Sequence, residues 1–235
     1  MWDNAALLRN IANALMVFSV LAMLYGAIHY AVHLPGLFPL QSVRLSAAPQ
    51  RVDATGVLQV VRNEVQGNFF TVDIERLRQS LEKLPWVRNV SIRREFPHRL
   101  EVQLEEYQAL ARWNNSALVD QQGEVFVAQS ESVMPDFAGQ DGTAAEVTQH
   151  YAQFSQQLAA LDLQVTRLVL SPRHAWQLRL SNGMVLELGR EDMQQRLARF
   201  VEAYPYSLAA MQSQVKYVDL RYGNGFAVNG LTKRS

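Results

Sequence analysis

The 235-residue chain contains no cysteine. That excludes a disulfide framework, thiolate metal ligands and a cysteine nucleophile, and leaves the redox compartment open. It also lacks any excess of charge. Its 22 Lys and Arg balance 22 Asp and Glu, so no global field draws it onto nucleic acid. Catalytic signatures are missing too: there is no Gly-x-Ser-x-Gly elbow, no His-Glu-x-x-His and no phosphate-cradling glycine loop. His98, His150 and His174 fall in different segments. The neighbours Glu105-Glu106 and Glu191-Asp192 point apart in a strand or at a helix start rather than sharing a proton. A carboxylate dyad built from distant positions stays open at this level. The expectation is a non-enzymatic chain with no cofactor, no metal and no small-molecule substrate.

The most informative absence is local: from Asn10 to Val43 there is no Asp, Glu, Lys or Arg. A helix of about 23 residues within the apolar centre, Ile11 to Leu34, covers roughly 34 Å, enough to cross a bilayer core. Removable signal cores are shorter, about 7–15 residues, and end in a small-x-small site. Ala31-Val32-His33-Leu34-Pro35 offers no such triplet, and Ser46-Ala47-Ala48 lies too far on. The run is read as an uncleaved anchor in contact with membrane lipid, with His29 and His33 as interfacial residues rather than ligands. Charge hardly decides orientation, with Arg9 and the α-amine against Asp3 before the span and Arg44 and Arg51 after it. The usual arrangement for one N-terminal span exports the C-terminal side.

After the span, Leu40 to Leu45 reads as a strand, and about Asp53 to Val65 as a helix with Leu58, Val61 and Val65 as its apolar stripe. Gly67 stops that helix. Asn68-Phe69-Phe70 begins a connection buried by its two rings. Asp73 caps a second helix carrying Ile74, Leu77, Leu81 and Leu84, which Pro85 ends. The period then changes to two: Val90 and Ile92, a turn at Phe96-Pro97-His98, then Leu100, Val102 and Leu104, a hairpin with one wet face. The order is β-α-α-β-β. Gly67-Asn68-Phe69-Phe70, Leu84-Pro85-Trp86-Val87 and Arg93-Arg94-Glu95-Phe96-Pro97 together resemble a POTRA module, more narrowly that of the bacterial FtsQ/DivIB cell-division family.

Farther on, Leu118 to Phe126 is a turn between strands, and a helix from about Ala144 to Leu161 carries Val147, Tyr151, Phe154, Leu158 and Leu161 on one stripe. Strands are expected at 165–170, 175–180 and 184–188. The last two flank Asn182-Gly183, a two-residue hairpin signal in which both positions need positive φ. A helix from about Glu191 to Tyr204 has its N-terminal dipole complemented by Glu191 and Asp192 and is closed by Pro205. The last strand is Lys216 to Tyr222, and Phe226 to Leu231 continues as a second extended piece. A strand so late in the chain forms a sheet edge, whose unpaired N–H and C=O groups a partner strand can complete, or lies inside the sheet, or is shielded by the residues after it.

Gly189-Arg190, Arg196-Leu197-Ala198-Arg199-Phe200, Tyr204-Pro205 and Tyr217-Val218-Asp219-Leu220-Arg221-Tyr222 are similar to the C-terminal β domain of the same family. The resemblance implies an α+β chain with a single N-terminal transmembrane helix, a POTRA-like β-α-α-β-β domain, and a mostly antiparallel β domain with flanking helices. Its expected divisions are a cytoplasmic tail 1–10, a span 11–34, the POTRA-like domain 37–106, the β domain 107–231 and a tail 232–235. It implies an inner-membrane scaffold of the divisome with its C-terminal part in the periplasm, enriched at the septum and linking early and late division proteins. FtsB, which travels with FtsL, is the implied partner of the terminal strand region. FtsW, FtsI and FtsK are further partners through the POTRA-like part and the span. By position the partner-binding residues are Arg221, Tyr222, Asn224, Gly225 and Phe226, with Arg173 as a basic contact. Some relatives carry a tryptophan just past this stretch where Gly230-Leu231 stands here, so the aromatic anchor is either missing or replaced by Phe226. The alternatives are another POTRA-type periplasmic chaperone or transport component, and a membrane-anchored cell-wall enzyme.

Overall fold

The structure, a computed structural model, describes residues 5–34, 36–211, 215–223 and 225–229. It forms two compact units, divided between Glu106 and Tyr107. The first begins with α1, Ala5–His33, whose stretch Leu7–His33 is apolar and unburied. Twenty-seven residues make a helix of about 40 Å, longer than a bilayer's hydrocarbon core.

Beyond α1 the chain forms β1 (Ser42–Leu45), α2 (Ala54–Glu64), α3 (Ile74–Glu82), β2 (Val87–Glu95) and β3 (Arg99–Glu106). The sheet order is β1-β3-β2, with β1 parallel and β2 antiparallel to the central β3. Asp53 accepts from the backbone N–H groups of Thr55 and Gly56, and Asp73 from that of Arg76 at 2.9 Å, so each short helix has the carboxylate cap its sequence announces. α3 packs on β2, and Leu77 and Leu81 of the helix, like Leu100 and Val102 of β3, are fully buried. Trp86, also buried, lies under the Arg51 guanidinium at 4.7 Å. At the far end of β3, burial alone would raise the pKa of Glu106. Three backbone N–H donors, from Val52, Arg51 and Gln50, outweigh that and lower it.

Two local expectations need correction. The inward residue of α2 is Val57, while Leu58 is exposed, because the packed stripe runs through Val57, Val60, Val61 and Glu64, one step from the expected register. Of the two rings at 69–70 only Phe69 is buried. Phe70 turns outward, edge-on to Phe69 and to Phe38.

The second unit is one nine-stranded sheet crossed by two helices. Its strands are β4 (Ala109–Trp113), β5 (Ala117–Asp120), β6 (Val125–Phe126), β7 (Asp136–Ala138), β8 (Val165–Leu170), β9 (Trp176–Leu180), β10 (Val185–Gly189), β11 (Tyr217–Asp219) and β12 (Ala227–Asn229). They are ordered β12-β11-β10-β9-β8-β7-β4-β5-β6. Five neighbouring pairs are antiparallel, and β10–β11, β4–β7 and β7–β8 are parallel. The helices are α4 (Ala144–Leu158, continued by a short 3₁₀ turn) and α5 (Met193–Ser207). α4 packs on β8, and α5 on β10 and on α4. Val147, Phe154 and Leu158 from the stripe of α4 are fully buried with Leu168, Leu178, Leu186 and Phe200. His150 stands in the same layer with its ring 4.5 Å from Trp176, a packing residue.

Ser181-Asn182-Gly183 is a three-residue loop with only Gly183 at positive φ, rather than the expected two-residue hairpin. Leu180 pairs with Met184 and leaves Asn182 free to accept from the backbone N–H of Met184. Pro205 does not close α5. The helix runs on to Ser207, with buried Leu208 donating to the Tyr204 carbonyl at 3.0 Å, so packing of the last turn outweighs the missing proline N–H. Nor does a side chain cap α5: Asp192 sits at φ 49° and the Arg196 N–H bonds to its carbonyl instead.

Replacing Asp73 with Ala should cost the first turn of α3 about 1 kcal/mol. Hydrogen exchange of residues 74–82, followed by mass spectrometry, should then quicken about fivefold, with α4 peptides unchanged. Unaltered exchange would remove the capping role.

Candidate functional site

The C-terminal end of the second unit is organised around Gly189. Its φ is +73°, and a Cβ there would lie 2.9 Å from Arg196 Nη1 and 3.1 Å from Arg221 Cγ. Only glycine leaves room for both guanidinium side chains over the end of β10. Arg196, from α5, donates to the Leu188 carbonyl at 2.7 Å. Arg199, one turn on, donates to the carbonyl of Gly223. Asp219 is buried and accepts from Arg221 three ways: from the backbone N–H at 3.0 Å, from Nε at 2.9 Å and from Nη2 at 2.7 Å. The Arg221 side chain holds the Asp219 carboxyl below the usual carboxylate range, and Asp219 in turn raises the pKa of Arg221. Burial, with Glu187 and Asp219 nearby, pushes the Tyr217 phenol up.

These contacts fix the path of residues 220–223 and so determine where the sheet ends. Lys216–Tyr222, read above as the last strand and a candidate edge, is shorter and internal. β11 lies parallel to β10 on one side and antiparallel to β12 on the other. The edge is β12, paired as Tyr217↔Asn229, Val218↔Val228 and Asp219↔Ala227. Among the described residues nothing pairs with its outer side.

The sequence-predicted residues fall as follows. Arg173 and Arg221, far apart in sequence, line one groove of about 330 Å³ with Arg190, Glu191 and Arg196. Gly225 and Phe226 line a second hollow of about 440 Å³ with Arg196, Arg199 and Leu220. The Phe226 ring stands edge-on to Phe200 with centroids 6.3 Å apart. Tyr222 is 58% exposed and lines neither hollow. Asn224, Gly230 and Leu231 lie outside the described residues. Arg196 and Arg199 were not singled out as site residues. Their signal was present: arginines at i and i+3, on the polar side of a helix whose apolar side is Leu197, Phe200 and Tyr204.

Four guanidinium groups, of Arg173, Arg190, Arg196 and Arg221, line the first groove with one carboxylate, Glu191, and Arg221 is also held by Asp219, which leaves the groove an excess of positive charge. Among the described residues no cluster of three His, Asp or Glu could hold a metal ion.

Residues 38–107 match the FtsQ-type POTRA domain, and residues 111–221 match the family described as cell division protein FtsQ/DivIB, C-terminal. The chain belongs to the FtsQ/DivIB family. It is 42% identical over 235 residues to the cell division protein FtsQ of Nitrosospira multiformis, covering 98% of this chain and 99% of that one. Identity to the FtsQ of Burkholderia pseudomallei is 36% over 241 residues, covering 100% and 96%. For that of Neisseria gonorrhoeae it is 35% over 234 residues, covering 97% and 94%. The chain is thus a cell division protein with a POTRA domain, and FtsQ-family membership implies protein–protein contacts within the divisome. Its apolar α1 fits single-pass anchoring in the inner membrane. The C-terminal family match ends at Arg221, so the exposed Tyr222 and the edge strand β12 lie just past it.

Asp219 carries a testable pH dependence. Its folded pKa is depressed below the unfolded value of about 3.9, so its contribution is complete above that pH and is lost as pH falls through the folded value. Asp219→Asn should lower stability at pH 7 by about 1 kcal/mol and flatten the fall in urea midpoint below pH 4. A variant whose midpoints track the parent at every pH would refute this.

Proposed function

We propose that this chain is a non-enzymatic bitopic scaffold of the divisome that receives FtsB by strand addition at β12, with FtsL arriving in the same complex. The observation that carries the reading is that β12 ends the sheet with nothing paired on its outer side among the described residues, continuing from Phe226, which lines a hollow with Arg196 and Arg199. Adding a strand there satisfies the exposed N–H and C=O groups of β12 and supplies affinity with little demand on sequence. Specificity comes from the rim. Arg173 and Arg221 select acidic side chains, and Tyr222 and Phe226 supply the aromatic surface that binding hot spots favour. In this reading residues 1–10 are cytoplasmic, 11–34 span the inner membrane, and the POTRA-like part 37–106 and β part 107–231 stand in the periplasm at the septum. FtsW, FtsI and FtsK would then meet the POTRA-like part and the span, linking early and late division proteins.

Tyr222→Glu should reduce co-purification of FtsB at least tenfold, because the joint would bury an unpaired charge, while membrane extraction and protease resistance stay unchanged. Photo-crosslinkers at positions 222, 226 and 228 in living cells should capture FtsB. Wild-type FtsB recovery with Tyr222→Glu, or crosslinks only to other proteins, would overturn the assignment of this surface.

A further inference from the structure

The segment joining α1 to the POTRA domain carries an exposed aromatic cluster fastened to the helix end. Asn68 is buried, and its Nδ2 donates to the carbonyls of Val32 at 2.6 Å and Leu34 at 3.2 Å, satisfying the last turn of α1. Its Oδ1 accepts from the backbone N–H groups of Phe70 and Thr71, both at 3.0 Å, which sets the loop that follows. The Phe69 N–H bonds to the Phe38 carbonyl, and Leu37 N–H to that of Leu34, so the linker folds back on the same loop. Arg94 closes the arrangement by donating to the carbonyls of Phe69 and Val72, each at 3.0 Å. Around buried Phe69 stand Phe70 at 5.2 Å and Phe96 at 6.1 Å between centroids, with Phe38 5.1 Å from Phe70. Phe38 and Phe70 are each 42% exposed and Phe96 73%, with Leu37 beside them at 43%.

We infer that this cluster is a lipid-interface foot, resting in the headgroup layer of the bilayer that α1 crosses; the inference rests on reading Leu7–His33 as a span. If Arg9 marks one headgroup layer, about 20 helical residues from Ile11 cross the roughly 30 Å of hydrocarbon and reach Tyr30. Leu34 then lies about 6 Å beyond, within an interfacial layer some 5–8 Å thick. The hydrogen bonds of Asn68 hold the phenylalanines at that level, where water would otherwise face a continuous apolar patch. Arg93 and Arg94 flank Phe96 on the hairpin and suit anionic headgroups, while Arg99 pairs with Glu95 at 3.6 Å; aromatic residues favour this layer. The foot would fix the standing of the POTRA domain on the membrane through both its covalent link and its lipid contact.

Because the chain has no cysteine, single-cysteine variants label cleanly. Full-length Leu37→Cys and Phe96→Cys, carrying an NBD fluorophore, would be reconstituted without partners in phosphatidylethanolamine–phosphatidylglycerol vesicles. Met23→Cys reports the middle of the span, and Lys83→Cys the opposite end of the POTRA domain. Lipids with a nitroxide near the headgroup should quench positions 37 and 96 at least twofold more than position 83. Leu37→Cys keeps every phenylalanine, so loss of one ring cannot account for a negative result. Quenching at 37 and 96 no greater than at 83, with Met23→Cys quenched by deep nitroxides, overturns the foot and leaves the span intact. In that case the patch faces a protein. No quenching at position 23 overturns both.

Discussion

A polar side chain withdrawn from water must find its hydrogen bonds inside the protein, and three such residues fix the loops on which this chain depends. Asn68 takes up the end of α1 and the backbone of the loop after it. Asp120 accepts from the N–H groups of Gln122 and Glu124 and sets the turn between β5 and β6. Asp219 holds Arg221 by both main chain and side chain as β11 ends. In each case a buried acceptor replaces water for backbone groups that no helix or strand serves.

The consequences differ by place. At Asn68 the result is a short, braced joint between an apolar helix and a small α+β unit. At Asp219 the result is a directed chain end. Arg221 is drawn over Gly189, Arg196 and Arg199 secure the carbonyls on either side, and the chain is delivered back as β12. Edges are hazards that proteins usually blunt. β6, at the other end of the large sheet, has only two residues, and the outer strand β2 ends in the charged run Arg93-Arg94-Glu95. β12 carries no charge of its own, and Phe226 just before it lines a hollow with Arg196 and Arg199.

Much of this was legible in the chain. Asp73 before Ile74, Leu77 and Leu81 announced a capped helix, and the alternation of Val102 and Leu104 with glutamates announced a half-wet strand. Both patterns are set by neighbours within a few residues. The Leu58 stripe differs from the packed one because a stripe one step out of register looks equally apolar until packing against α3 buries Val57. Pro205 misled because its local cost is outweighed by distant packing of Tyr204 and Leu208. Arg196 and Arg199 looked like an ordinary solvated helix face, since nothing local says that carbonyls of β10 and of residue 223 lie opposite.

The sequence by itself determined the uncharged run long enough to cross a bilayer, the β-α-α-β-β order, the apolar faces of α4 and β9, and the absence of cysteine thiols. These follow from composition and periodicity, which act over one or two turns. Only the tertiary structure decided that β12 rather than β11 ends the sheet, that Arg173 and Arg221 line one groove, and that Phe70 and Phe96 are exposed around buried Phe69. Those outcomes depend on which backbone groups find partners across long stretches of chain, and no local pattern records that pairing.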